Sequence, residues 1–163
     1  MPCFRVLFIG VSIALFAVAA QAQGANVAFG AIKADPTLPV EVTADSLDVD
    51  QQSGRAEYIG NVVVGQGEMR MSADRLLVIF SDAVNAIERL EATGDVILVS
   101  GPDAAEAQRA EYTIDSGVIV MTGDVLLTQG QNALTSDSMT VNLTTGTAQM
   151  AGRVKTILIT DDE

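Results

Sequence analysis

Apolar and polar residues alternate through most of this chain, the period-two signature of strands with one buried face. The alternation is itself repeated. A glycine followed by a polar residue and valine occurs as Gly60-Asn61-Val62, Gly94-Asp95-Val96, Gly123-Asp124-Val125 and Gly152-Arg153-Val154, at spacings of 34, 29 and 29 residues. A small residue opening a strand-like run falls at Ala44, Ala73, Ala107 and Ser136, at spacings of 29, 34 and 29. From each glycine to the next small residue is always 13 residues, so one period with a single five-residue insertion explains both series. The insertion belongs in the second unit, around Ser81 to Asn85, where a turn can lengthen without disturbing the strands beside it.

Three and five places after the small residue stand Leu47 and Val49, Leu76 and Val78, Ala110 and Tyr112, and Met139 and Val141. Two and four places after the glycine stand Val62 and Val64, Val96 and Leu98, Val125 and Leu127, and Val154 and Thr156. The alternation also holds before the glycine, as at Ala56 and Tyr58 or Ile119 and Met121, so each strand continues past it. A glycine inside a strand marks a bend or a close approach, which makes each unit a bent hairpin. The hairpin's turn glycine stands six residues before the bend at Gly54, Gly117 and Gly146. Ala83 to Ala92 also reads as a short helix, but it aligns with a strand in the sister units. One hairpin cannot bury its apolar face alone, so the four are expected to stack into an elongated all-β body around a shared core. With 4% aromatic residues and much Val, Leu, Ala and Met, that interior would be made of adaptable aliphatic groups.

The ends change the picture. Arg5, an apolar run from Val6 to Ala20, and the small residues of Ala20-Gln21-Ala22 predict a cleaved signal peptide over 1–22. Fifteen apolar residues fall short of the roughly 20 needed to span a bilayer. Cys3, the sole cysteine, would leave with that peptide, and the chain has no histidine, so disulfide, thiol and imidazole chemistry are all excluded from the mature protein. A weakly patterned segment, 23–35, is expected to be flexible, with Pro36 and Pro39 bracketing the entry to one domain over 36–163. The net charge is −12, and losing Arg5 leaves eight basic against 21 acidic side chains, a net of −13. Those basic residues are scattered, which excludes nucleic acid as a partner class.

The motifs Pro39-Val40-Glu41-Val42, Ala44-Asp45-Ser46-Leu47-Asp48-Val49, Gly60-Asn61-Val62-Val63-Val64, Gln66-Gly67 and Ala73-Asp74-Arg75-Leu76 together resemble the opening of LptA/OstA-type proteins. Tyr112-Thr113-Ile114 and Thr122-Gly123-Asp124-Val125 continue the resemblance, which runs from about Pro36 to Ile159. It implies a slightly twisted β-jellyroll, open along its length and V-shaped in section, with acyl chains held on the inner surface. It further implies a periplasmic lipopolysaccharide carrier, recognising the lipid A moiety without cofactor or metal, between LptC-like and LptD-like jellyroll partners of the inner and outer membranes. By position the resemblance places Val40, Val42, Tyr112 and Ile114 in the groove. The repeat arithmetic adds Leu47, Leu76, Val78, Val96, Leu98 and Val125, although the same residue types would equally fill an ordinary core. Members also join head to tail by strand addition, which points to Val40 and Val42 at one end and Val154, Ile157 and Ile159 at the other. The acidic tail Asp161-Asp162-Glu163 could cap that second edge, and Arg153 and Lys155 could set its register.

Three other readings compete. A membrane-anchored LptC-type component would retain the N-terminal apolar run. A structural β-solenoid would use 29 residues as one rung, but its repeats should continue well beyond four. A hydrolase or calcium site could use Asp45, Asp48, Asp50 or Asp74, yet Asp48 and Asp50 alternate with Val49 as solvent-facing strand residues do. No P-loop sequence occurs, so energy for transport is expected to come from another protein.

Overall fold

The computed structural model describes residues 25–28, 37–81 and 86–159. The expected signal peptide with Cys3, most of the 23–35 segment, and the acidic tail Asp161-Asp162-Glu163 lie outside them. The strands are β1 (Ala25–Ala28), β2 (Glu41–Thr43), β3 (Ser46–Asp50), β4 (Arg55–Gln66), β5 (Met69–Phe80), β6 (Ile87–Ser100), β7 (Asp103–Thr113), β8 (Val118–Gln129), β9 (Asn132–Asn142), β10 (Thr147–Ala151) and β11 (Lys155–Ile157). Every pairing is antiparallel between chain neighbours from β2 to β11, except that β2 and β3 both pair with β4 and β10 and β11 both pair with β9. β2 with β3, and β10 with β11, are thus each one bent strand interrupted at its bend. The four bent hairpins predicted from the repeat are all present, and of the alternative helix over Ala83 to Ala92 the part from Ile87 is the start of β6, while residues 83–85 lie outside the described part.

The ladder is broken in register at each bend, between Ile59 and Val62, Thr93 and Val96, and Thr122 and Val125. These bulges divide the sheet into two arms. The first arm holds β3, the halves of β4 to β9 that carry Tyr58, Leu76, Leu90, Tyr112, Ile119 and Met139, and β10. The second holds β2, the halves that carry Val64, Met71, Leu98, Ala105, Leu127 and Leu134, and β11. The arms face each other. Their inner rows, including Leu76, Leu90, Val96, Leu98, Ala105, Tyr112, Ile119, Met121, Leu127 and Met139, are fully buried in one continuous cluster. The result is an all-β, non-closed, twisted sheet of the open β-jellyroll type.

Turns close the arms differently. First-arm tips use the predicted glycines, with Asp50 and Asn142 at equivalent places accepting backbone N–H bonds two and three residues on. Those bonds, with one from the Ser53 side chain foremost, hold the Asp50 carboxyl below the usual carboxylate range. Second-arm tips are two-residue hairpins opening on Gly67, Gly101 and Gly130, all at positive φ, a second glycine series seven residues beyond the bends. The segment expected to be flexible contributes a strand: β1 pairs along the outer edge of β10. The five-residue insertion falls between β5 and β6, where residues 82–85 lie outside the described part and Ser81 N–H donates to Ala86 O at 2.8 Å.

Candidate functional site

The bends are built by two residues in succession in the left-handed region. Gly94 has φ +81° and Asp95 +41°, and the pairs at Gly60, Gly123 and Gly152 match them. Asn and Asp tolerate that region better than other side chains, which accounts for Asn61, Asp95 and Asp124 after the glycine. Each glycine is also the site of a close approach. A Cβ there would run into the side chain of the residue after the small anchor, namely Asp45, Asp74, Gln108 or Asp137. At three of the four bends that residue also bonds the one following the glycine: Asn61 Nδ2 donates to Asp45 Oδ2 at 2.8 Å, Gln108 Nε2 to Asp124 Oδ2 at 2.8 Å, and Arg153 Nε to Asp137 Oδ1 at 2.9 Å. The Arg153 hydrogen bond and charge hold the Asp137 carboxyl below its usual range. The acidic residues that first suggested a catalytic or calcium site are thus partly accounted for, since Asp45 and Asp74 are bend-pair residues. Among the described residues, no group of three or more His, Cys, Asp or Glu is placed to hold a metal.

The interior divides the expected groove residues into three sets. Leu76, Val78, Val96, Leu98, Tyr112 and Val125 are at most 2% exposed and pack on one another, so in this state the chain's own side chains fill the space between the arms. Val40, Val42 and Ile114 are partly buried against that core. Leu47 is 49% exposed, as is Val49 at 60%, although their repeat equivalents Leu76 and Val78 are buried. The difference is positional: among the described residues β3, which carries Leu47 and Val49, has β4 on one side only, so the inner face runs out uncovered at that end. A depression of about 430 Å³ opens there, between Val49, Asp50, Gly54 and Phe80.

Tyr112 ties the arms together. Its hydroxyl donates to Gln66 Oε1 at 2.8 Å across the interior, and Gln66 Nε2 donates to Leu38 O at 2.9 Å. Burial pushes the Tyr112 hydroxyl's pKa above its ordinary value, partly offset by the Gln66 bond. Gln66 belongs to a polar lip at the second-arm tips, with Ser100, Asp103 and Gln129; Gln129 Nε2 donates to Asp103 Oδ2 at 3.0 Å. Sequence reasoning gave no role to Ser100, Asp103 or Gln129 and used Gln66 only within the Gln66-Gly67 motif. Their signal was present, since each precedes or follows the second glycine series by one or two residues.

The ion pairs of the first arm lie on its outer face. Arg75, Arg89 and Arg109, far apart in sequence, come together on the outside of the first arm and pair with Glu57, Glu91 and Glu111 at 2.9–3.5 Å. Exposed pairs of this kind contribute about 0–1 kcal/mol each, so they set solubility and register more than stability. Val154, Ile157 and Ile159 are 39%, 52% and 55% exposed, with Ile157 opposite Ala133 on β9. The edge is held further by Asn132 Oδ1, which accepts the Ile159 N–H at 3.2 Å.

A bent sheet that buries an aliphatic face between two arms and sets its ion pairs on the outside is an open β-jellyroll framework. Residues 41–147 match the family described as LptA/(LptD N-terminal domain) LPS transport protein, and the chain belongs to that family. Among curated proteins it is similar to an uncharacterized protein, R00383, of Rhizobium meliloti (strain 1021), 28% identical over 119 residues covering 69% of this chain. The aligned part spans 64% of that relative's length. Its fold is similar to the crystal structure of LptH, the LptA-homologous periplasmic component of the lipopolysaccharide transport device of Pseudomonas aeruginosa. That likeness has TM-score 0.69 at 17% identity, over 78% of this chain and 99% of LptH.

Proposed function

We propose that this chain is a periplasmic bridge that passes lipopolysaccharide from an LptC-like inner-membrane component to an LptD-like outer-membrane one, sheltering the acyl chains against its inner sheet face. The observation that carries this reading is the uncovered end of that face, where Leu47 and Val49 stand exposed in the same rows as buried Leu76 and Val78. An apolar face that is sealed in the middle and unsealed at its end suits a lipid entering from an adjoining jellyroll. The energetic need is large: each methylene moved into water costs about 0.8 kcal/mol, so an acyl chain of a dozen carbons exposes on the order of 10 kcal/mol. A continuous aliphatic surface removes that cost without covalent chemistry.

Because the inner faces of the arms pack on one another, cargo is taken up by parting them. Met69, Met71, Met121, Met139 and Met150 line the interior, and their unbranched side chains repack around an acyl chain at little cost. The Tyr112–Gln66 bond is the contact that opening breaks.

Native mass spectrometry of the exported protein, with and without purified lipopolysaccharide, tests the reading. The expected spectrum gains a species heavier by one lipopolysaccharide per protomer, which delipidated polysaccharide fails to produce. Equal adducts with the delipidated polysaccharide would assign binding to the sugars and contradict an acyl-chain site.

A further inference from the structure

The two ends of the sheet are not equally free. At the N-terminal end, β2 and β3 each pair with β4 and have no strand outside them among the described residues. At the C-terminal end, β11 is likewise open, but β10 is covered by β1: Ala25 lies opposite Met150, Asn26 opposite Gln149, Val27 opposite Ala148 and Ala28 opposite Thr147. The polarity of this pairing is informative. β10 runs from the first-arm tip to the bend, so β1, being antiparallel, runs from bend to tip. β3 runs the same way in the same arm, from Ser46 beside the bend to Asp50 at the tip. The two also share a pattern, with Asn26 between Ala25 and Val27 as Asp48 lies between Leu47 and Val49.

We infer that β1 is a removable cap, occupying on β10 the place that β3 of a second copy takes when protomers join end to end. This rests on the end-to-end reading given above and adds to it a built-in competitor for the joining edge. The balance of ladders sets the direction of exchange. β1 covers only the first-arm half of the edge with a four-residue strand, whereas a second copy offers five-residue β3 to β10 and three-residue β2 to β11 together.

Two variants of the full chain, exported and purified, test the cap by sedimentation analysis of self-association. Replacing residues 25–28 by Gly-Ser-Gly-Ser leaves β10 open and is expected to tighten association at least tenfold. Asn26→Cys with Gln149→Cys, partners at a Cα spacing that a disulfide accepts, is expected to hold the cap and abolish association until a reductant restores it. A third variant, Asp48→Cys with Gln149→Cys, reports the joint through a disulfide between copies. If that disulfide forms while neither cap variant changes association, end-to-end joining stands and the cap is overturned. If no form associates, both fail together. Association without that disulfide would overturn β3 as the occupant.

Discussion

Gly94→Val is expected to destabilise the fold by about 3 kcal/mol, lowering the thermal midpoint by on the order of 10 °C. Two costs combine. A β-branched residue at φ +81° occupies a region that L side chains avoid, costing about 1–2 kcal/mol. Its Cβ would also fall on the Asp74 side chain, forcing the bend apart where β5 and β6 shift register. Gly101→Ala separates the two effects. Gly101 has φ +55° but nothing within 4 Å of where a Cβ would stand, so only the backbone cost of about 1 kcal/mol applies. Denaturant midpoints measured for both variants check this. Equal losses would mean that the packing behind the bend glycine contributes nothing.

Tyr112→Ala is expected to cost about 3–5 kcal/mol, as for other large buried aromatics, because it empties the largest fully buried side-chain volume. Tyr112→Phe keeps the ring and loses only the bond to Gln66, for about 1 kcal/mol. The hydroxyl also predicts a pH dependence. Its folded-state pKa is raised above the ordinary 10.0, so the folded protein holds this proton more tightly than the unfolded chain does. Its contribution is therefore intact below about pH 10 and is lost as pH rises beyond it. Urea midpoints between pH 8 and 11 should fall less steeply for Tyr112→Phe than for the parent; identical slopes would show that the hydroxyl is not desolvated.

Most of the fold was legible because a repeat makes one signal count four times. The inward rows read from alternation are buried wherever a strand has neighbours on both sides, as at Leu76, Val96, Ala110 and Met139. They fail at Leu47, Val49 and Val154, where the residue type is right but no strand lies outside among the described residues, a fact about ends that periodicity does not contain. The bend glycines were legible and their partners were not. Asp45, Asp74, Gln108 and Asp137 differ in side chain, and Asp45 and Asp74 stood out only as candidate hydrolase or calcium carboxylates, until the fold brings all four against Gly60, Gly94, Gly123 and Gly152. β1 was missed for a similar reason. Four residues with weak patterning carry no pairing signal of their own, and their partner β10 lies more than a hundred residues away. The groove was only half legible, since alternation identifies a buried face without saying whether the chain or a lipid covers it.

That question is settled most directly by neighbouring residues on one strand. Leu98 faces the interior at 0% exposure, and Ile97 beside it faces outward at 38%. A diazirine amino acid close to leucine in size, placed at either position in cells making lipopolysaccharide, is irradiated and the adduct read on a gel. An adduct from position 98 and none from 97 is the predicted result. Equal adducts from both, or none from 98 while the folded protein accumulates, would contradict a lipid path between the arms.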